Sequence, residues 1–348
     1  MKRLSMPLVI AIAFLVTVVP SWLGMYSGYI QFVLMLMGIN IILTVSLNLI
    51  NGYMGEFSVG HAAFMGVGAY IASIITVYLV ADSNFFGPAR LPGYWSLLIF
   101  PVSLIIGGIA ASLFSLLIAF PSFRTRGDYL AIITLAVNFI FKSVVENIDP
   151  IGGPRGFMGM GGVIQAMESV ADIPWILIWI FITLVATIYI VRNLVSSIIG
   201  KGIVAIRDDE IAAELMTVNT RRMKVNAFML ACGIAGVAGG LHAHAISFIN
   251  PSSYFIIQST FMLVMVYLGG MGSISGSVIS AIIFTVLLEV MKPLDLYRFV
   301  VIPVLFIMLM LFRPSGLMGN KELTDIFPAL RKIFTTGEEK ISHVPASD

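Results

Sequence analysis

Apolar residues are gathered along this chain into ten long blocks, at about 7–23, 29–50, 57–80, 95–120, 129–146, 174–191, 225–247, 256–268, 277–291 and 299–312. A helix needs about 20 such residues to cross the hydrocarbon core of a bilayer, so the blocks predict membrane crossings. The eighth and ninth are short, with Gly269, Gly270, Gly272 and Gly276 between them. Two readings stay open for them, crossings or half-helices meeting inside protein, because non-helical backbone is tolerated at membrane depth only where protein or a water cavity shields it. The pattern therefore predicts an all-α, polytopic membrane protein of about ten transmembrane helices, within a range of eight to ten, with Gly-rich broken segments. The first block follows Lys2 and Arg3 like a secretory leader. It lacks a small-x-small cleavage pattern over 20–26, and a retained first helix is expected.

Composition agrees with this solvent. Hydrophobic residues make up 59% of the 348 positions and charged residues 11%, less than half the share usual in soluble domains. A net charge of +2 gives no reason to expect a nucleic-acid partner. The single cysteine, Cys232, lies in an apolar run and excludes an internal disulfide. Basic residues set the orientation. Arg124, Arg126, Arg192, Lys201, Arg207, Arg221, Arg222, Lys224, Arg313, Lys321, Arg331, Lys332 and Lys340 fall in connections on one side. Only Arg90, Arg155, Lys292 and Arg298 fall on the other. The basic side is expected to be cytoplasmic, with both termini there and the chain multi-pass in the cell (inner) membrane. Residues 1–315 are expected to form the transmembrane domain, and 316–348 a cytoplasmic tail, disordered after about Gly337.

Between the sixth and seventh blocks lies a connection with helical periodicity. Ile203, Ile206, Ile211, Leu215 and Val218 are spaced to share one broad face, with Arg207, Asp208, Glu210 and Glu214 elsewhere. Asp208 or Asp209 is placed to cap a short helix. A compact amphipathic helix here suits either the lipid interface or a groove on a cytoplasmic partner. Its mixture of acids and bases favours the partner, because anionic lipid would select bases alone. A further signal is an echo: Gly52-Tyr53-Met54-Gly55-Glu56-Phe57-Ser58 and Gly269-Gly270-Met271-Gly272-Ser273-Ile274-Ser275 share the pattern G-x-M-G-x-[FI]-S.

The stretch from Ala205-Ile206-Arg207-Asp208-Asp209-Glu210 through Ile211-Ala212-Ala213-Glu214 resembles the E-A-A loop of ABC importer permeases, in the form typical of the branched-chain amino-acid permease family. Four more segments follow that family in order: Ser58-Val59-Gly60-His61-Ala62-Ala63-Phe64 with Gly68-Ala69-Tyr70; Arg126-Gly127-Asp128-Tyr129 through Ala136; Gly152-Gly153-Pro154-Arg155-Gly156; and Leu268 through Val278. Together they cover about residues 40–315 and are most similar to the second of the two paired permeases. The sequence departs from the pattern at Thr217, where glycine is usual, at Arg155, where asparagine is usual, and at Phe139, where an acid is common. The last two put substrate identity in question. The resemblance implies an importer of branched-chain amino acids or a similar small polar solute, urea or a short amide among them. It also implies partners: cytoplasmic ABC ATPase subunits, a second permease, and a periplasmic or extracellular solute-binding protein. No G-x-x-x-x-G-K-[ST] phosphate loop occurs in the sequence. The chain is therefore expected to be no enzyme and to hold no cofactor, ATP being used by partner subunits, with 201–221 as the coupling helix and Arg207, Asp208, Asp209, Glu210, Ala212, Ala213 and Glu214 as its coupling residues.

Polar groups inside apolar blocks mark a candidate solute route. Gly55, Ser58 and His61 lie at the first Gly-rich break, and Gly270, Gly272 and Ser273 at the second. Asn138, Lys142 and Glu146 are spaced by four on one helix face, where Lys142 and Glu146 either pair or line the route. Asn40 and Asn48 suit bonds between helices better than solute contacts. His242 and His244, two apart, lack the i, i+4 spacing of a helical metal pair. An ion-gradient-driven secondary transporter remains the alternative, and its available carboxylates are Glu56, Glu146 and Glu289.

Overall fold

The computed structural model describes residues 5–82, 86–123, 129–313, 315–319 and 322. Arg124, Arg126 and the expected disorder beyond Gly337 lie outside the described residues. Each of the ten apolar blocks is a helix: α1 (Ser5–Trp22), α2 (Gly28–Asn48), α3 (His61–Val80), α4 (Ser96–Ser122), α5 (Tyr129–Glu146), α7 (Trp175–Ser196), α10 (Thr220–Ile246), α11 (Ile256–Gly269), α12 (Ile274–Val290) and α13 (Arg298–Phe312). Three short helices lie in connections: α6 (Met160–Glu168), α8 (Ile198–Asp208) and α9 (Glu210–Leu215). Seven helices among the described residues are long and apolar enough to cross a membrane, with Val9–Trp22 and Ile274–Val290 as shorter apolar helices.

The centre of the bundle is packed on missing side chains. A Cβ on Gly68 would run into the Gly236 backbone, and one on Gly239 into the Met65 carbonyl. These contacts press α3 against α10, and Gly107 and Gly108 bring α4 onto both. Between apolar helices in lipid there is little hydrophobic drive, so such close approach supplies much of the association energy. The half of α2 from Gly38 to Asn48 is buried all round except at Asn40. Its two asparagines bond outward to α12: Asn40 Nδ2 donates to Thr285 Oγ1 at 2.9 Å and Asn48 Nδ2 to Ser277 Oγ at 2.8 Å. Apolar side chains such as Leu113, Leu117, Ile307 and Leu311 face outward.

Connections gather at two opposite ends. One end carries the β1 (Phe157–Met158) and β2 (Phe248–Ile249) ribbon, paired antiparallel as Phe157↔Ile249 and Met158↔Phe248. At that end Tyr29 donates to Glu289. The other end carries α8, α9, the 49–60 connection, the 270–273 turn, residues 315–319 and Glu322. This placement favours crossings over half-helices meeting inside the protein, the two readings the sequence leaves open. α11 and α12 form an antiparallel hairpin beside α2, from the Tyr29–Glu289 contact at one end to Asn48 and the 270–273 turn at the other. Gly270 (φ 108°) and Gly272 (φ 83°) make the reversal possible, so the glycines close a turn at the bundle's end.

Candidate functional site at the Gly-rich turns

The α8–α9 loop, the two Gly-rich turns and α10 meet at one place. α2 ends in a π-helical turn, Leu49–Tyr53, an irregularity that often marks functional positions. A Cβ on Gly52 would collide with Asn48 and with the Gly272 amide. Asn48 stitches the turns together: its Oδ1 accepts from Gly272 N at 3.0 Å and its Nδ2 donates to Ser273 O at 2.9 Å. Ser273 Oγ then caps α12 by accepting from Gly276 N at 3.0 Å. The two copies of the sequence echo are thus in contact.

The loop grips the first turn directly. Arg207 Nη1 donates to Gly52 O at 3.2 Å, and its aliphatic stem lies over Gly55, whose φ is 75°. Arg207 also pairs with the exposed Asp208 at 3.1 Å. Lys224, near the start of α10, is 7% exposed and bridges two carboxylates, Glu56 of the first turn at 2.7 Å and Glu210 of α9 at 2.8 Å. Lys224 had been read from the sequence only as an orientation signal, and Glu56 only as a candidate ion-binding carboxylate. Their conjunction depends on the fold and had no local signature.

The single coupling helix over 201–221 needs correction. Helix α8 stops at Asp208, Asp209 is extended (φ −158°, ψ 107°), and α9 starts afresh. Asp209 Oδ1 accepts from Ile211 N at 2.9 Å and Ala212 N at 3.0 Å, a side-chain cap that competes with continuing the helix. Residues 220 and 221 already belong to α10. The break separates the expected common face: Ile203 and Ile206 are buried, whereas Ile211 and Leu215 are 62% and 80% exposed. Ala213 is buried against its own chain, Ala212 is exposed, and Glu214 accepts from Thr220 Oγ1 at 3.1 Å. Thr217 has a φ of 64°, a left-handed conformation that accounts for glycine being usual there in the family pattern.

The candidate route residues fall into three groups. Gly55, Gly270, Gly272 and Ser273 sit at the turns just described. Ser58, His61 and Asn138 form a buried polar seam around the start of α3, which touches α5 through Asn138 and α2 through His61: Asn138 Nδ2 donates to Val59 O at 2.9 Å, and His61 Nε2 bonds Ser46 Oγ at 2.8 Å. Ser58 Oγ, His61 Nδ1 and Asn138 Oδ1 have no hydrogen-bond partner among the described residues. Lys142 and Glu146 stand apart, 3.8 Å from each other, with the Lys142 ammonium 4.6 Å from the centre of the Phe255 ring. Phe139 is exposed and packs edge-on against Phe255, and Arg155 is exposed at the ribbon end. His242 and His244 have separate partners: His242 bonds Tyr254 Oη, and His244 bonds Thr76 Oγ1 and Gly240 O.

Apolar helices running between two loop-bearing ends, one with broken turns held by a polar loop, define a multi-pass membrane permease. The family described as the permease component of branched-chain amino acid transport systems matches residues 29–312, and the chain belongs to it. It is 29% identical to the high-affinity branched-chain amino acid transport system permease protein LivM of Escherichia coli K12, over 80% of this chain and 68% of that protein. The LivM protein of Salmonella typhimurium is 28% identical, over 87% of this chain and 73% of its own length. The Salmonella typhimurium LivH permease is 25% identical, over 82% and 92%. No solved structure matches the chain. A transport permease component is not a class of enzyme.

Proposed function

We propose that this chain is the membrane-spanning subunit of an ATP-driven importer, and that the α8–α9 loop is where a separate ATPase takes hold. The carrying observation is the loop's construction. Arg207 and Lys224 fasten it to the first Gly-rich turn, while Ile198, Ile211, Leu215 and Met216 are left 86%, 62%, 80% and 79% exposed. Apolar side chains raised beside charged ones suit a groove on a protein partner. The basic connections make this end cytoplasmic by the positive-inside bias. A second permease completes the route, a solute-binding protein delivers to the ribbon end, and ATP is bound by the partner subunits alone.

The solute is a branched-chain amino acid, as in the systems named for the relatives. The seam of Ser58, His61 and Asn138 offers it polar contacts, because a buried polar atom left unpaired costs about 1–3 kcal/mol and is relieved by a passing polar group. The Gly-rich turns at 55 and 270–273 are the inner constriction. The carboxylates that ion coupling would require, Glu56, Glu146 and Glu289, each have a lysine within 2.7, 3.8 and 3.3 Å, which favours ATP as the energy source.

Crosslinking tests the assignment. Leu215→Cys or Met216→Cys in the assembled transporter should capture the ATPase subunit, and Leu215→Asp should cut ATP-driven leucine uptake at least ten-fold with the complex still membrane-inserted. Capture of lipid alone, or normal uptake by Leu215→Asp, refutes it. Ala213 is a poor probe, since its burial means that Ala213→Asp disturbs the loop itself.

A further inference from the structure

Residues 315–319 lie against the second Gly-rich turn as if they were part of it. Leu317 N donates to Leu268 O at 2.8 Å and Met318 N to Gly269 O at 3.1 Å. These carbonyls at the end of α11 would otherwise lack helical partners. Three glycines permit the approach. A Cβ on Gly270 would stand 2.5 Å from Gly319 O, and one on Gly316 would stand 2.6 Å from Tyr267 O. Gly316 and Gly319 both have positive φ, at 76° and 59°.

From this seat Glu322 reaches the start of α12. Its carboxylate accepts from Ile274 N at 2.8 Å, Ser275 N at 3.1 Å and the Ser275 hydroxyl. An anion at a helix N-terminus is favourable, because the amides there are unpaired and the helix dipole is positive. The same carboxylate accepts from Tyr53 Oη at 3.4 Å, across in the first turn. Tyr53 is the neighbour of Gly52, whose carbonyl holds Arg207. One chain of contacts therefore runs from the loop through the first turn to this segment, and on to the α11–α12 turn.

We propose that residues 315–319 together with Glu322 are a latch on the inner constriction and that Glu322 is its positioning residue. Seated, the carboxylate fixes the start of α12 against the end of α2, and the two turns stay closed. Movement of the α8–α9 loop draws on Gly52 and Tyr53, loosens Glu322 and lets the turns part so that solute leaves. The timing of release rests on the ATP-coupled reading, whereas the closure does not.

Two measurements on the intact transporter in liposomes test this. In vesicles loaded with radiolabelled leucine and free of ATP, Glu322→Gln should raise passive leak at least five-fold at an unchanged melting temperature. In a second variant, Leu317→Cys with Met271→Cys, a reducible bis-maleimide should pin the latch, lower ATP-driven uptake at least ten-fold and release it on reduction. Both replaced residues are more than a third exposed, and the native Cys232 is buried. A leak equal to that of the unaltered protein, or full uptake with the crosslink in place, overturns the latch. Uptake independent of the ATPase would instead overturn the energy source and leave the closure standing.

Discussion

Lys224 satisfies two acids from a position where water hardly reaches it, with side-chain exposures of 9% for Lys224, 19% for Glu56 and 36% for Glu210. Removing one partner from a fully buried pair costs about 3–5 kcal/mol. Here partial access to water reduces the penalty, and Lys224→Met should destabilise the assembled transporter by about 2 kcal/mol. Adding Glu56→Gln and Glu210→Gln to that variant should recover more than half of the loss, because no unpaired charge is then left. Melting temperatures of the purified complex read both values; equal losses in the single and triple variants would count against the bridge. At this scale the sequence was only partly informative. A cap at Asp208 or Asp209 was visible, since an Asp before a short run of helix formers is a local signal, and Asp209 is the one that caps α9. Glu56 and Lys224 are separated along the chain by α3 through α9, and nothing local announces their partnership.

At the scale of elements, the apolar blocks could be read directly because bilayer thickness fixes how long a crossing must be. The break between α8 and α9 was not legible, since the spacing of Ile203, Ile206, Ile211 and Leu215 continues across Asp209 as though one helix ran through it. The glycines of α3 and α10 let the two helices approach to backbone contact. Gly239 has the Met65 carbonyl where a methyl group would go. Gly239→Ala should therefore cost about 1–3 kcal/mol of stability. Gly161 in α6 has nothing within 4 Å of such a methyl, and Gly161→Ala should gain up to about 1 kcal/mol. Thermal denaturation compares the pair, and a Gly239 variant as stable as the parent would mean that the helices are not in backbone contact.

At the scale of the whole molecule, successive connections alternate between the two ends, as an antiparallel bundle requires. That alternation follows from the order of the apolar blocks, and the basic residues tell the two ends apart. The location of the second Gly-rich turn was not, because short apolar runs suit half-helices and a terminal hairpin equally well until the partners of Asn48 are known. A membrane-impermeant maleimide distinguishes the two ends. Leu215→Cys should label only from the cytoplasmic side and Arg155→Cys only from the opposite side, with little background from buried Cys232. Labelling of both from one side would remove the basis for the orientation.

The two-stranded ribbon has a mechanical consequence. It binds the connection after α5 to the segment that leads into α11, and α11 is a stiff rod of about 20 Å at 1.5 Å per residue. Its far end is the Gly269–Gly270 corner. A protein that pressed on the exposed Met158 or the half-buried Phe248 from outside would therefore act on that corner along α11.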